Sequence, residues 1–311
     1  MSPAARPAKF LLHESICLAV WISLAISLTV TGKLRPEDAI LPLQIGGLLA
    51  MVRFSRKGDR WQLARLVFSV VAINLTYFWM GSAIPRLRVW RADETLVHID
   101  RLLFGDCLAV MVSPHVQGWS RDLLSCAYLT YYPLWVGLLT WASFRDEKTR
   151  LSCFSGITMV QALGFCGYLV MPAAGPFCYA PLAARLTSSG SWITHANSAL
   201  VEWGCNRVDV FPSLHTACGC FVLLSAWTFS RRVFSFLLAP CLLTICATIG
   251  LQYHYFADVV AGATLGTGMW WFTVRAKSTQ FVRHQSISLQ DEGLFARSLK
   301  LFQGSFERFR Q

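Results

Sequence analysis

The sequence predicts an all-α, polytopic membrane protein built as a bundle of about eight spanning helices. Two properties of the whole 311-residue chain indicate this class: 54% of its residues are hydrophobic and only 14% are charged, with a mean hydropathy of +0.46. A soluble domain carries about 25% charged residues. Several charge-free runs are also close to the roughly 20 residues that cross a ~30 Å hydrocarbon core. These runs are 15–32, 66–85, 123–144, 210–230 and 233–253.

Residues 1–65 are predicted to form an N-terminal membrane segment that ends in a basic cytoplasmic linker. The run 15–32 is long and lacks a small-residue cleavage site, so we interpret it as an uncleaved helix rather than a signal peptide. The run 39–52 is uncharged for only fourteen residues and contains Pro42, so it either crosses the membrane or re-enters it. The linker 53–65 has five basic residues against one acidic residue, which is typical of a cytoplasmic loop.

Residues 66–275 are predicted to form a second, larger membrane domain. Between its first two spans, the charged segment 86–121 has apolar residues at helical spacing, which suits a helix lying in the membrane interface. The segment 172–209 is nearly forty residues long and rich in Pro, Gly and Ser, and so long a connection is usually functional or disordered. The predicted spans are 66–85, 123–144, 151 to about 171, 211–230, 233–253 and 255–274.

Residues 276–311 are predicted to form a basic amphipathic cytoplasmic tail. Its large apolar residues recur at a spacing of three or four, as expected of one helix face: Phe295, Leu299, Phe302, Phe306 and Phe309. A basic helix of this kind is predicted to lie on the membrane surface, and the alternative is that it packs against the protein's own helices.

The basic residues also predict the topology, because cytoplasmic loops are enriched in Lys and Arg. Four basic segments are separated from one another by two crossings each, so all of them are assigned to the cytoplasm: 53–65, 145–150, 231–232 and the tail. The segments on the opposite side are 86–121, 172–209 and 252–257. This distribution explains the net charge of +11, and since no DNA- or RNA-binding motif is present, nucleic acid is excluded as a partner.

The eleven cysteines are scattered, mostly inside apolar runs and without the spacing of zinc ligands. Most of them are interpreted as small buried hydrophobic residues. Cys178 and Cys205 both fall in the segment 172–209, and they can pair if that segment faces an oxidising compartment.

Three ionisable residues are the candidate catalytic residues of the chain. His215 begins one predicted span, while His254 and Asp258 lie at the turn between the last two, so the topology puts all three at the non-cytoplasmic face. The i,i+4 spacing stacks His254 and Asp258 on one helix face if the last helix starts early enough to include His254. The carboxylate can then accept the imidazole Nδ1–H and leave Nε2 free as a nucleophile. Each residue taken alone can instead cap a helix or extend its polar end towards the membrane surface, and Asp258 can be a helix N-cap. Ionisable residues are scarce within membrane spans, however, and those that occur there usually have a function.

The two histidine stretches resemble the motifs of a known family. Phe211-Pro-Ser-Leu-His-Thr216 is similar to the Pro-Ser-Gly-His motif of the type 2 phosphatidic acid phosphatase superfamily, and His254-Tyr-Phe-Ala-Asp258 is similar to its His-x-x-x-Asp motif. These variants look most like the inositol phosphorylceramide synthase-like branch, which is related to sphingomyelin synthases. The resemblance covers roughly 95–275. Further elements that resemble this branch are 100–105, 131–133 and 171–176.

The resemblance implies a six-helix phosphatase-type core, with the first helices as an N-terminal addition and 66–275 as the catalytic domain. It implies that His254 attacks phosphorus to form a phosphohistidine, that Asp258 orients this histidine, and that His215 protonates the leaving alkoxide. It implies no cofactor and no metal. The implied partners are a membrane phospholipid donor, a lipid alcohol acceptor and the bilayer.

The chain departs from the phosphatase pattern at the cationic residues. No Lys-x6-Arg-Pro motif is found, and Ala247 and Thr248 stand where the phosphatases carry Ser-Arg. A phosphodiester carries less negative charge than a monoester and needs fewer cations, so these departures favour transfer over simple phosphatase chemistry. The candidate substrate-binding residues on the non-cytoplasmic side are Arg86, Arg88, Arg185 and Arg207, together with Tyr131 and Ser213 in the resembling motifs.

The leading hypothesis is an integral-membrane phosphotransferase that moves a phosphorylated headgroup between a phospholipid and a lipid alcohol. Its active site would face the periplasm in a bacterium or the Golgi lumen in a eukaryote. The alternative is a phosphatase of lipid phosphates or polyprenyl diphosphates that uses water as the acceptor. Two further classes are a metal-dependent intramembrane hydrolase with His215, His254 and Asp258 as ligands, and a non-catalytic transporter or scaffold. The sequence leaves the headgroup, the acceptor and the oligomeric state open.

Overall fold

A computed structural model of the chain describes residues 9–187 and 189–275. All regular secondary structure within them is helical, which confirms the predicted all-α class. The amphipathic stripe predicted between Phe295 and Phe309 lies outside the described residues. The α-helices are α1 (Leu12–Val30), α2 (Ile40–Phe54), α3 (Asp59–Leu87), α4 (Asp93–Phe104), α5 (Leu108–Val112), α6 (Trp119–Leu129), α7 (Tyr131–Ser143), α8 (Glu147–Val170), α9 (Ala180–Ala183), α10 (Trp192–Gly204), α11 (Leu214–Phe229), α12 (Arg231–Gly250) and α13 (Phe256–Trp270).

Six stretches in the described part of the chain are long and apolar enough to cross a membrane. They are α1, the segment Pro36–Lys57 that contains α2, α3, the pair α6 and α7, α8, and α12. The predicted number of about eight is reached only if α11 and α13, of 16 and 15 residues, also cross. The doubtful second helix is among the six, since a 3₁₀ turn extends it at each end.

Helix α8 forms the centre of the bundle. Asp146 caps its start by accepting a hydrogen bond from the Thr149 backbone N–H at 3.1 Å. This N–H is in the first turn and has no acceptor within the helix. This helix is the most buried of the six candidate spans, and it contacts α1, α3, α7, α11 and α13. The N-terminal helices are joined to each other by a buried ion pair in which Arg65 Nη2 lies 2.5 Å from Glu14 Oε2.

Two segments differ from the outline that the sequence gives. The segment 172–209, expected to be functional or disordered, contains the thirteen-residue helix α10 in addition to the short α9, and several of its residues line the cavity described below. Ser191 starts α10 by accepting the Ile193 N–H at 3.3 Å. The predicted span 123–144 begins earlier, at Trp119, and is divided at Thr130 into α6 and α7.

Two glycines let the motif-bearing helices α11 and α13 approach each other closely. A Cβ added at Gly262 would lie 2.3 Å from the Ser213 carbonyl oxygen, and one added at Gly266 would lie 2.1 Å from the Ala217 carbonyl oxygen. Glycine spaced by four residues is typical of such close helix contacts in membranes. The backbone N–H of Ser213 also donates to the Asp258 carbonyl at 3.0 Å. The contact therefore sets the position of His215 relative to the start of α13.

Candidate active site

The two motif histidines lie side by side at one end of the bundle. His215 is in the first turn of α11, and His254 is in the short loop between α12 and α13. Their ring centroids are 5.9 Å apart. The loop that carries His254 is held by the last turn of α12, because the Thr248 carbonyl accepts the N–H groups of both Tyr253 and His254 at 3.0 Å.

Asp258 is buried beside His254. Its Oδ2 lies 3.4 Å from His254 Nδ1 and also accepts the Tyr255 backbone N–H at 2.8 Å. The approach to Nδ1 has the distance of an ion pair but not the angle of a hydrogen bond, and Asp258 Oδ1 has no hydrogen-bond partner. Asp258 is the third residue of α13 and Tyr255 is the N-cap. One carboxylate thus supports the start of the helix and faces the histidine.

His215 is held between two tyrosines from α6 and α7. The Tyr128 ring is stacked on it at a centroid distance of 4.2 Å and an interplanar angle of 19°, and the Tyr131 ring is tilted against it at 4.1 Å. The Tyr128 hydroxyl lies 3.4 Å from His215 Nδ1. When neutral His215 carries its proton on Nδ1, beside the Tyr128 hydroxyl oxygen, Nε2 is free to accept and release a proton.

Both histidines open into one cavity of about 390 Å³. Its walls are rich in aromatic rings, and in the part of the chain that the structure describes its lining contains one acidic side chain, Asp209, and no lysine or arginine. The lining residues are Asn74, Tyr77, Phe78, Tyr128, Leu129, Tyr131, Tyr132, Gln161, Phe165, Tyr168, Ala174, Phe177, Asn197, Leu200, Val201, Trp203, Gly204, Cys205, Asp209, Val210, Leu214, His215, Tyr253 and His254.

The arginines that the sequence suggested for phosphate binding do not line this cavity. Arg86 pairs with Asp38, with Nη2 and Oδ1 2.7 Å apart. Arg185 pairs with Asp106, and this hydrogen bond lowers the pKa of Asp106 below its ordinary value.

The other two predicted arginines are exposed. Arg88 donates to the Leu169 carbonyl at 3.1 Å, and the Arg207 carbonyl accepts a hydrogen bond from Arg91. Of the remaining predicted substrate-binding residues, Tyr131 lines the cavity, while Ser213 is buried and caps α11 by accepting the Thr216 N–H at 3.3 Å. Tyr131 is therefore the only one of the six predicted substrate-binding residues that lines the cavity.

Sequence reasoning missed two charged residues near the site. Asp209 accepts a hydrogen bond from the Tyr77 hydroxyl inside the cavity. Arg121 is buried outside the lining, where its Nη2 lies 3.5 Å from Gln252 Oε1 while Nε and Nη1 have no hydrogen-bond partner. Both residues fall in segments that the sequence places outside the spans, 86–121 and 172–209, where charged residues are common, and no motif marks them.

Cys205 lines the cavity and Cys178 is its neighbour, as their shared segment allows. Both are free thiols in this structure. The Cys178 thiol donates a hydrogen bond to the Cys205 sulfur, which lowers the pKa of Cys205 to about 7 and raises the pKa of Cys178. The positive charge of Arg207 acts in the same direction on Cys205.

No group of three or more His, Cys, Asp or Glu side chains is arranged to hold a metal ion within residues 9–187 and 189–275. His215, His254 and Asp258 are not part of such a group in this structure. Their arrangement suits proton transfer and nucleophilic attack.

Comparison with known proteins identifies the family. A family model described as the PAP2 superfamily matches residues 94–272, which is more than half of the chain and includes both histidine motifs. The match does not distinguish one branch of the superfamily from another. No curated protein and no solved structure matches the chain. Membership supports a phosphatase- or phosphotransferase-type activity on lipid phosphates, and the apolar helices make the chain an integral membrane protein. The chain belongs to the PAP2 superfamily.

Proposed function

We propose that the protein is a lipid phosphotransferase that moves a phosphorylated headgroup from a phospholipid to a lipid alcohol through a phosphohistidine at His254. One observation carries this proposal: two histidines, one of them beside a carboxylate, open into a single cavity, and no lysine or arginine is among the described residues that line it. The pair supplies a nucleophile and a proton carrier, and the missing cations favour a phosphodiester substrate.

The first step forms the phosphoenzyme. The Nε2 lone pair of His254 attacks phosphorus, and the bond between phosphorus and the diacylglycerol oxygen breaks. The leaving oxygen takes a proton from Nε2 of protonated His215, so diacylglycerol departs neutral. Asp258, 3.4 Å from His254 Nδ1, balances the positive charge that the phosphorylated imidazole acquires.

The second step regenerates the enzyme. The acceptor alcohol gives its proton to Nε2 of His215 while its oxygen bonds to phosphorus, and the bond between phosphorus and His254 breaks. Because the phospholipid, the acceptor alcohol and both histidines are held in one cavity, the reacting groups are already close together and each step takes place within a single complex.

Transfer is favoured over hydrolysis by the charge of the cavity. A phosphomonoester carries up to two negative charges and would meet Asp209 without a neutralising lysine or arginine in the lining. A phosphodiester carries one. The aromatic walls also provide apolar surface for a lipid acceptor.

We assign the cavity to the non-cytoplasmic side. Helix α12 begins at the basic pair Arg231 and Arg232, and it ends beside the loop of His254. Helix α11 runs the opposite way, from His215 towards the same basic pair. The positive-inside rule therefore supports an outward-facing site, which is the periplasmic side of a bacterial inner membrane or the lumen of the Golgi.

The test is incubation of the purified protein, in vesicles, with a phospholipid labelled in its phosphate, with and without ceramide or diacylglycerol as acceptor. A labelled lipid product that depends on the acceptor supports transfer, whereas free labelled headgroup phosphate or inorganic phosphate in its place supports the hydrolase. A parallel reaction with a chelator shows whether any activity depends on a metal ion.

Quenching the same reaction with a denaturing detergent at alkaline pH tests the intermediate, because the phosphorus–nitrogen bond of a phosphohistidine is labile in acid. We expect a labelled protein adduct that is absent in His254→Ala and present in His195→Ala, since His195 lies on α10 and does not line the cavity. Full activity of His254→Ala would overturn the phosphohistidine mechanism.

A further inference from the structure

We propose that the cavity selects a headgroup that carries its own positive charge, an ammonium or trimethylammonium group attached to the transferred phosphate. This inference rests on the proposed function, since it names the class of phospholipid that the site would use. It depends on three observations about the cavity: its charges, its aromatic walls and the state of its one carboxylate.

The charges of the lining favour a cation. Asp209 is acidic, Asn74, Gln161 and Asn197 are neutral amides, and no lysine or arginine is among the lining residues that the structure describes. The buried guanidinium of Arg121 lies outside the lining. An anionic headgroup would bring further negative charge into this enclosed space, whereas a zwitterionic headgroup brings the missing counter-charge with the phosphate.

The walls are made of contiguous aromatic rings. The Phe165 ring lies 6.1 Å from the Tyr77 ring and 5.7 Å from the Tyr168 ring, measured between centroids. On the side of the histidine loop, the rings of Phe177 and Tyr253 are 5.1 Å apart. The faces of such rings attract cations, and recognition of quaternary ammonium groups by aromatic cages is an established use of this attraction.

Asp209 has no positively charged partner. Its Oδ2 accepts a hydrogen bond from the Tyr77 hydroxyl, and its Oδ1 accepts one from the Val208 backbone N–H at 3.3 Å. No ion pair within residues 9–187 and 189–275 includes Asp209. The Tyr77 hydroxyl keeps the carboxylate beside an aromatic ring. A partly buried carboxylate in a cavity that is also lined by tyrosine rings suits the binding of an ammonium group.

The experiment compares two short-chain phospholipids that differ only in charge. One is a dihexanoyl phospholipid with a trimethylammonium headgroup, and the other replaces the nitrogen by carbon to give a neutral 3,3-dimethylbutyl headgroup. Binding is measured by calorimetry in nanodiscs of lipids without choline, using His254→Ala to prevent turnover. We expect the cationic headgroup to bind at least tenfold more tightly, and Asp209→Asn in that background to reduce the ratio below threefold.

Glu202→Gln is the matched control, because Glu202 is exposed beside the cavity but does not line it. It should leave the tenfold ratio unchanged. Equal binding of the two lipids, or a ratio that Asp209→Asn does not alter, would overturn the inference.

Transfer assays with the wild-type protein separate this inference from the proposed function. Transfer from an anionic donor but not from the cationic one would overturn the inference and leave phosphotransfer intact. Selective binding of the cationic lipid without transfer from any donor would overturn the proposed function and leave the binding site intact.

Discussion

The ring of Tyr128 lies flat against the ring of His215, with centroids 4.2 Å apart and an interplanar angle of 19°. The Tyr128 hydroxyl is 3.4 Å from Nδ1 of the same histidine. The stacking restrains the orientation of the imidazole, and the hydroxyl restrains its tautomer. Tyr128 is therefore a positioning residue for the proton carrier of the proposed reaction.

We expect Tyr128→Phe to keep the stacked ring but to lose control of the tautomer. Neutral His215 could then carry its proton on Nε2, where it cannot accept the proton of the acceptor alcohol. The expected result is a fall in kcat of about tenfold, equivalent to about 1.4 kcal/mol, with little change in KM. Steady-state kinetics against pH measure it, since a tautomer effect also changes the shape of the pH profile.

Tyr179→Phe is the control for this variant, because Tyr179 lies outside the cavity and its hydroxyl makes no hydrogen bond to a described residue. A Tyr128→Phe protein with the kcat and pH profile of Tyr179→Phe would show that the hydroxyl has no positioning role.

The close contact of α11 with α13 predicts a difference between two glycines on one helix. A Cβ at Gly266 would lie 2.1 Å from the Ala217 carbonyl oxygen, whereas one at Gly268 would meet nothing within 4 Å. We expect Gly266→Ala to force the helices apart, to lower stability by about 1–3 kcal/mol and to reduce activity at least tenfold, because His215 moves relative to His254. Gly268→Ala should resemble wild type.

Thermal unfolding in detergent and the transfer assay measure both effects. If Gly266→Ala and Gly268→Ala unfold at the same temperature and are equally active, the helix contact does not position the histidines.

The effect of the Asp258 charge on His254 can be tested separately from the hydrogen bond by which Asp258 supports the start of α13. In Asp258→Asn the side-chain oxygen can still accept the Tyr255 N–H that the carboxylate accepts at 2.8 Å, so the start of α13 is preserved. The negative charge beside His254 is lost, and with it the stabilisation of the phosphorylated imidazole. We expect phosphoenzyme formation to slow by about a hundredfold or more, with the unfolding temperature unchanged within a few degrees. Rapid-quench kinetics measure the rate, and an unaltered rate would assign Asp258 to the helix alone.

The sequence was sufficient to predict the membrane class and to bring the two histidines to one face. These predictions depend on local properties, namely apolar runs and basic loops. The sequence also has Ala247 and Thr248 where the phosphatases carry Ser-Arg, and no arginine lies among the described residues that line the cavity.

The sequence was insufficient wherever the partner of a residue lies far along the chain. Arg86 and Arg185 were predicted to bind phosphate, but their acidic partners, Asp38 and Asp106, lie 48 and 79 positions away. Tyr128 meets His215 across 87 positions. Nothing in composition or spacing marks such contacts, because they arise only when the helices pack.

Cys205 predicts a pH-dependent reactivity at the cavity wall. Its pKa is lowered to about 7 by the hydrogen bond from Cys178, so the reactive thiolate increases as the pH rises through 7. We expect alkylation of Cys205 by iodoacetamide to accelerate from pH 6 to pH 8 and then to level off. Since Cys205 lines the cavity, its alkylation should also inhibit transfer, and a bound short-chain phospholipid should slow both.

Cys178→Ala removes the donor of that hydrogen bond. The pKa of Cys205 should then rise towards the ordinary thiol value of about 8.5, so that alkylation at pH 7 slows several-fold while the rate at pH 9.5 is nearly unchanged. Mass spectrometry of the peptide that contains Cys205 follows the reaction, and Cys126, outside the cavity, serves as the reference thiol in the same sample. An alkylation midpoint near 8.5 in both proteins would show that the Cys178 thiol does not stabilise the Cys205 thiolate.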